Sequence, residues 1–292
     1  MTPKFCTAAD LFGKWFTELE SGELPTRFEL AEPFDRLDVR PGRLLLFGGA
    51  PGSGKTAALL HMGVDMLRLN ESARLLIANV EMVPTLLIER IVSRLSAVPL
   101  SSIADRTLDA NELARVKAAT NALEPIAGRL AFLAAPFSLE HLAAAGSAFG
   151  ANVLVCDYVQ RFSVGDNKGD KREQLESAAT ILRGFCDLGA AVFVASAVAR
   201  QKGNSGSNYS GLNLASFRGS SELEYGADSA YLVECDDAGR TTFHCAKNRY
   251  GAVADIVTQF DPTVQTFAPI AFPSGLDGFD AAKPARTKAT RG

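Results

Sequence analysis

The sequence predicts an α/β protein: a mostly parallel, twisted sheet with helices on both faces and an antiparallel extension at its C-terminal end. Three observations predict it. From Arg43 onward, short apolar runs alternate with helical patterns, as expected of βαβ units whose strands are buried on both faces. A glycine-rich turn, Gly49-Ala50-Pro51-Gly52-Ser53-Gly54-Lys55-Thr56, joins the first run to the first helix. Near the C-terminus, three apolar runs follow one another across short turns with no helix between them, which is hairpin spacing.

Residues 1–27 form a separate N-terminal unit. Thr7-Ala8-Ala9-Asp10 spells a capping box, and Leu11, Phe12, Trp15, Phe16 and Leu19 then share one helical face until Ser21-Gly22 and Pro25 end it. Such a face needs a cover. Two readings stand: it folds back on its own core, or it docks on a neighbouring subunit.

The main domain spans residues 28–270. Its buried strands are expected at 44–48, 74–80, 130–133, 153–156 and 192–195, with helices at 56–69, 85–97, 111–123, 139–149 and 172–188 between them. The late strands are expected at 230–235, 241–246 and 256–260. Residues 201–211 hold almost no apolar side chain and predict a mobile loop. Residues 271–292, with Lys283, Arg286, Lys288 and Arg291 among prolines and glycines, predict a loose basic tail.

Bulk composition narrows the function classes. The 292 residues are 47% hydrophobic and 22% charged, enough for a substantial core and against wholesale disorder. A formal net charge of −3 excludes a nucleic-acid footprint spread over the whole chain, so any such site must be a local basic patch. The five cysteines form no C-x-x-C pair, which fits a reducing cytosol and no zinc site. No apolar stretch approaches the ~18 residues that suggest a membrane helix. The expected location is cytoplasmic.

The glycine-rich turn reads G-x-x-x-x-G-K-T, the phosphate-binding P-loop, in the strand–loop–helix setting that it requires. Its glycines let the backbone curl so that N–H groups face phosphate oxygens, and the following helix N-terminus favours anions. Residues 49 to 57, from Gly49 through Ala50, Pro51, Gly52, Ser53, Gly54, Lys55 and Thr56 to Ala57, are the candidate ATP-binding segment. Lys55 would reach the β- and γ-phosphates, and the Thr56 hydroxyl would ligate Mg²⁺. Asn152-Val153-Leu154-Val155-Cys156-Asp157 is an apolar strand ending in a carboxylate suited to the same cation. Leu75–Val80 ends in Glu81, and in a parallel sheet that end shares an edge with the P-loop. Glu81 is therefore either a base that polarises a water for attack on the γ-phosphate or a solvent-facing helix-capping carboxylate.

The order of these pieces resembles the RecA-like ATPase domain of DnaB-type replicative helicases. After the P-loop come Asn79-Val80-Glu81-Met82, Asp157-Tyr158-Val159-Gln160, Ser196-Ala197, the stretch Arg218-Gly219-Ser220-Ser221-Glu222-Leu223-Glu224-Tyr225-Gly226-Ala227-Asp228, and Lys247-Asn248-Arg249-Tyr250-Gly251. The resemblance spans residues 28–268 and does not extend to a separate helical N-terminal domain. It implies an ATP- and Mg²⁺-dependent helicase that works as a homo-oligomer, a hexameric ring, on single-stranded DNA, with replication or loader proteins as partners. It further implies that Glu81 is the general base, that Asp157 holds the metal, and that Lys247 and Arg249 reach the γ-phosphate of a neighbouring subunit. Arg90 matches a family arginine on the helix after Glu81. Two loops would track DNA, one at 161–172 and one at 200–218, the second carrying Arg200, Lys202 and Arg218. Ala197 departs from the family, which carries there a glutamine implied to sense the γ-phosphate. Two further classes stay open: a RecA-like ATPase acting as recombination mediator, helicase accessory or signalling ATPase, and a P-loop small-molecule kinase.

Overall fold

The computed structural model describes residues 6–22, 24–165, 171–198, 201–203, 206–208 and 221–270. Nine strands form one sheet in the order β11-β10-β9-β8-β1-β5-β4-β2-β3. The strands are β1 (Leu44–Gly49), β2 (Leu75–Asn79), β3 (Leu130–Phe132), β4 (Val153–Asp157), β5 (Ala191–Ala197), β8 (Ser229–Cys235), β9 (Arg240–Asn248), β10 (Ile256–Asp261) and β11 (Thr266–Pro269). The six from β8 to β3 run parallel, and β9, β10 and β11 return antiparallel. The predicted fold class and its C-terminal extension are both present. Because β1 lies between β5 and β8, the P-loop leaves the sheet at its centre.

Strand side chains alternate between the two faces, and this divides the core in two. Leu45 and Phe47 of β1 join Phe193, Tyr231 and Phe243 beneath helix α2 (Lys55–Leu69), whereas Leu44 and Leu46 join Val192, Val194 and Leu182 beneath α7 (Lys171–Asp187). Phe47 stacks between Phe193 and Tyr231, with ring centroids 6.2 and 5.5 Å away. Beside this body, α3 (Pro84–Ser96), α4 (Leu100–Ala104) and α5 (Ala110–Ala127) enclose a small core of Val92, Val98, Ile103 and Ala119. Helix α6 (Leu139–Phe149) covers the other face beside α7.

Three differences from the sequence expectation have local causes. Helix α5 continues through Pro125 to Ala127, where a proline reads as a stop. Strand β11 closes a hairpin on β10 through Phe260 and Phe267, whose rings stack at 4.4 Å. Within the stretch expected to be a mobile loop, β6 (Gln201–Gly203) and β7 (Gly206–Asn208) pair antiparallel as a separate ribbon. A two-strand ladder is made of backbone bonds and needs no apolar side chain.

Helix α1 (Ala8–Ser21) has the expected capping box, with Asp10 N–H donating to the Thr7 hydroxyl and Thr7 N–H donating to the Asp10 carboxylate. No residue of α1 is buried. Leu11, Phe12, Trp15, Phe16 and Leu19 are each more than half exposed, so the fold-back reading does not hold: this apolar face is bare in the single chain. The expected basic tail, residues 271–292, lies outside the described residues.

Candidate active site

The C-terminal ends of β1, β2 and β4 meet at one sheet edge and enclose a cleft of about 410 Å³. Gly49, Pro51, Gly52, Gly54, Lys55, Thr56 and Ala57 line it from the P-loop, together with Glu81 and Asp157. Gly54 ends the loop at φ +86°, a left-handed conformation costly for any residue with a Cβ. A Cβ on Gly49 would come within 2.6 Å of the Val233 carbonyl oxygen. Gly54 is also the N-cap of α2 and offers no side chain to it, leaving the first helical N–H groups for an anion.

Lys55 curls back over the loop. Its Nζ donates to the carbonyls of Gly49 (2.8 Å) and Ala50 (2.7 Å) and to the Ser53 hydroxyl (3.3 Å). Burial lowers its pKa to about 8, against the upward pull of Asp157 and Glu81. An ammonium held by loop carbonyls in a half-desolvated site gains most from a polyanion arriving beside it.

Thr56 Oγ1 donates to Asp157 Oδ2 at 2.6 Å, and Asn79 Nδ2 donates to the same oxygen at 2.7 Å. Burial pushes the Asp157 carboxyl above the usual carboxylate range, while the Thr56 bond and the Lys55 charge pull it back. A buried carboxylate beside a hydroxyl is the hard-oxygen pair that suits Mg²⁺, which takes few protein ligands and completes its shell with water and phosphate. Among the described residues, no group of three or more His, Cys, Asp or Glu offers a metal cage.

Asn79 is the site residue that sequence reasoning passed over. Its Oδ1 accepts from the backbone N–H groups of Glu81 (2.9 Å) and Met82 (2.7 Å) while its Nδ2 holds Asp157. One side chain thus fixes both the metal candidate and the turn that presents Glu81. The N-cap of α3 is Val83, so Glu81 is not a helix cap. The Tyr158 hydroxyl is raised above its ordinary pKa by burial and then by the neighbouring Glu81 charge, and both side chains line the cleft. Arg90 also lines the cleft and hydrogen-bonds Gln265.

Lys247 and Arg249 do not line this cleft. Gly49 pairs with Val233 at the P-loop edge, whereas Ala230 pairs with Lys247 and Ser229 with Asn248 at the other end of β8. Counted along β8 at ~3.3 Å per residue, Lys247 beside Ala230 is three steps, about 10 Å, and Arg249 beside Asp228 five steps, about 17 Å, from the P-loop edge of their own sheet. Lys247 Nζ donates to the carbonyls of Glu224 (2.6 Å) and Tyr225 (3.1 Å) near the end of α8 (Ser221–Gly226). Arg249 donates to Asp228 (3.1 Å) and to the Tyr225 carbonyl (3.2 Å).

A model of the DnaB-like helicase C-terminal domain matches residues 33–269. The chain belongs to this family. It carries a RecA-like, nucleotide-binding, ATP-hydrolysing helicase domain of the DnaB type. Two of the solved structures that share the fold match along most of this chain. One is an ATPase domain, which matches with a TM-score of 0.78 at 16% identity, covering 92% of this chain and 100% of that one. The other, a DnaB-like replicative helicase described with its interactions with primase, matches with a TM-score of 0.79 at 17% identity, covering 91% of this chain and 69% of that one. No curated protein matches the chain.

Of the expected DNA contacts, Arg200, Arg218 and the side chain of Lys202 lie outside the described residues. Arg161, at the end of the 3-10 turn η1 (Val159–Arg161), is exposed.

Proposed function

We propose that this DnaB-type domain hydrolyses ATP between copies of itself, with acids from one copy and cations from the next, and moves on single-stranded DNA. The supporting observation is the split of the charged groups across the sheet. Lys55, Thr56, Glu81 and Asp157 share the cleft, while Lys247 and Arg249 lie toward the opposite edge, do not line it, and are held there by Glu224, Tyr225 and Asp228. In the proposed step, Glu81 takes a proton from a water whose oxygen attacks the γ-phosphorus as the bond to the β-phosphate oxygen breaks. Thr56 and Asp157 would hold Mg²⁺, which would supply positive charge against the phosphates when bound. Lys55 and the P-loop N–H groups hold the phosphates. Lys247 and Arg249 of a neighbour offset the charge spreading over the transferring phosphoryl.

A ring of such copies, a hexamer by family resemblance, would carry DNA on the loops at 161–172 and 200–218, including Arg200, Lys202 and Arg218. Replication or loader proteins are the expected further partners, and the cytoplasm the expected location; among the described residues no helix is long and apolar enough to cross a membrane. ATP turnover with and without single-stranded DNA, alongside a mass measurement, tests the reading. A multimer stimulated by DNA supports it. A multimer indifferent to DNA points to a mediator, accessory or signalling ATPase, and a monomer at full turnover overturns the shared site.

Two further results are expected. Trp15 is the only tryptophan and is 57% exposed on the bare face of α1. If that face meets a neighbouring copy, its emission shifts to the blue as concentration drives assembly; an unchanged spectrum through assembly removes α1 from the interface. Lys55, with a pKa of about 8 in the free protein, is a cation below that pH and loses its charge above it. ATP affinity therefore holds from about pH 6 to 7.5 and falls above about pH 8, approaching about tenfold per unit. Displacement of a fluorescent nucleotide reads this, and a profile flat to about pH 9.5 contradicts it.

A further inference from the structure

The last residue of β5 has neighbours of two different kinds. On one side, β5 pairs with β1 as far as Gly49↔Ala197, which ties Ala197 to the first glycine of the P-loop. On the other side, its pairing with β4 stops at Cys156↔Val194, and after Asp157 the chain turns into η1. Ala197 is thus beyond the last rung that β4 supplies.

The side chain of Gln160, in η1, takes the empty place. Ala197 N–H donates to Gln160 Oε1 at 3.2 Å, and Gln160 Nε2 donates to the Ala197 carbonyl at 3.2 Å and to Ser196 Oγ at 2.6 Å. A carboxamide presents one acceptor and a donor pair, matching the peptide group that a neighbouring strand would present. Gln160 therefore extends the ladder by one side-chain rung. The row Gly49–Ala197–Gln160 runs unbroken from the P-loop to η1, whose final residue is Arg161.

Ala197 itself lines the nucleotide cleft, but its methyl group cannot hydrogen-bond a phosphate. A side chain at this position cannot report the γ-phosphate, whereas its backbone is held on both sides. We propose that Gln160 is the positioning residue through which this chain relays nucleotide state: a shift of the P-loop moves Ala197, and the carboxamide carries that shift into η1. The proposal rests on the reading above, that a triphosphate seats on the P-loop and that the segment entered at Arg161 meets DNA. It replaces a contact from the side chain of residue 197 with a contact to its backbone.

Hydrogen exchange of the full-length chain tests the relay without DNA. The peptide covering residues 158–165 is followed with Mg²⁺ and either ADP or a non-hydrolysable ATP analogue. In the unaltered protein the two nucleotides should give exchange rates differing by about fivefold or more. Gln160→Leu should reduce that ratio below about twofold with both nucleotide affinities kept within about twofold. Ser196→Ala, which leaves both bonds between Gln160 and Ala197 in place, should keep the ratio. Gln160→Asn, one methylene too short to span both groups, should behave like the leucine variant and replaces it should that one not fold. No nucleotide dependence in the unaltered protein, a retained ratio in Gln160→Leu, or an equal loss in Ser196→Ala each overturns the proposal. A lack of DNA-stimulated turnover would instead strike the proposed function and leave the relay standing.

Discussion

Glu81→Gln is expected to lower ATP hydrolysis by about 10²–10⁴-fold, the usual contribution of a positioned general base, while nucleotide affinity stays within about twofold. The turn presenting this side chain is held by Asn79 Oδ1 through the backbone N–H groups of residues 81 and 82. Neither bond involves the Glu81 carboxylate, so the turn survives the substitution. Glutamine has the same reach but cannot accept a proton from water. In the proposed site, affinity rests on Lys55, Thr56 and the P-loop backbone, all unaltered. Single-turnover phosphate release and nucleotide titration separate the two effects. Release at the unaltered rate removes Glu81 from the base role. Loss of binding together with turnover would make it part of the phosphate cradle.

The site was legible in the sequence wherever one short segment carries the physics. The P-loop needs only its glycines, Lys55 and the flanking strand and helix, so its register could be read directly. Asp157 at the end of β4 and Glu81 just past the end of β2 followed from apolar runs that stop at an acid, because a parallel sheet brings such ends to one edge. The capping box of α1 is local in the same way. What stayed hidden depends on partners far apart in the chain. Asn79 reads as an ordinary strand residue until Asp157, 78 positions later, is placed against it. Gln160 becomes meaningful only when β4 is seen to stop short of Ala197. The α1 face was recognisable as apolar, yet whether its own chain covers it could not be read, since amphipathicity specifies a partner's chemistry and not its origin. The placement of Lys247 and Arg249 at the far edge follows from the antiparallel register of β9, which pairs Ala230 with Lys247 and which a two-residue motif does not encode.

That placement underlies the second large effect. Arg249→Ala is expected to reduce turnover of the assembled protein by about 10³-fold or more, the range for an arginine supplied across an interface, with little change in fold or in ATP binding. Asp228, which holds Arg249, is fully buried, and removing a partner from a buried carboxylate is ordinarily destabilising. Here it keeps two others: Arg183 donates to it at 2.7 Å and the backbone N–H of Leu44 at 3.0 Å. Asp228 thus stays paired in the variant, and thermal unfolding should move by only a few degrees. The loss should instead appear in mixtures. If one copy's arginine completes its neighbour's site, each variant subunit disables a site whose P-loop, Glu81 and Asp157 are intact. Where sites fire in turn around an assembly, activity then falls faster than the fraction of variant subunits added. If Arg249 served its own chain or only its own fold, activity would fall in proportion. Titrating variant into unaltered protein at constant total concentration distinguishes the two. A straight line would place the cation's work within a single copy, although about 17 Å of strand separates it there from the P-loop edge of its own sheet.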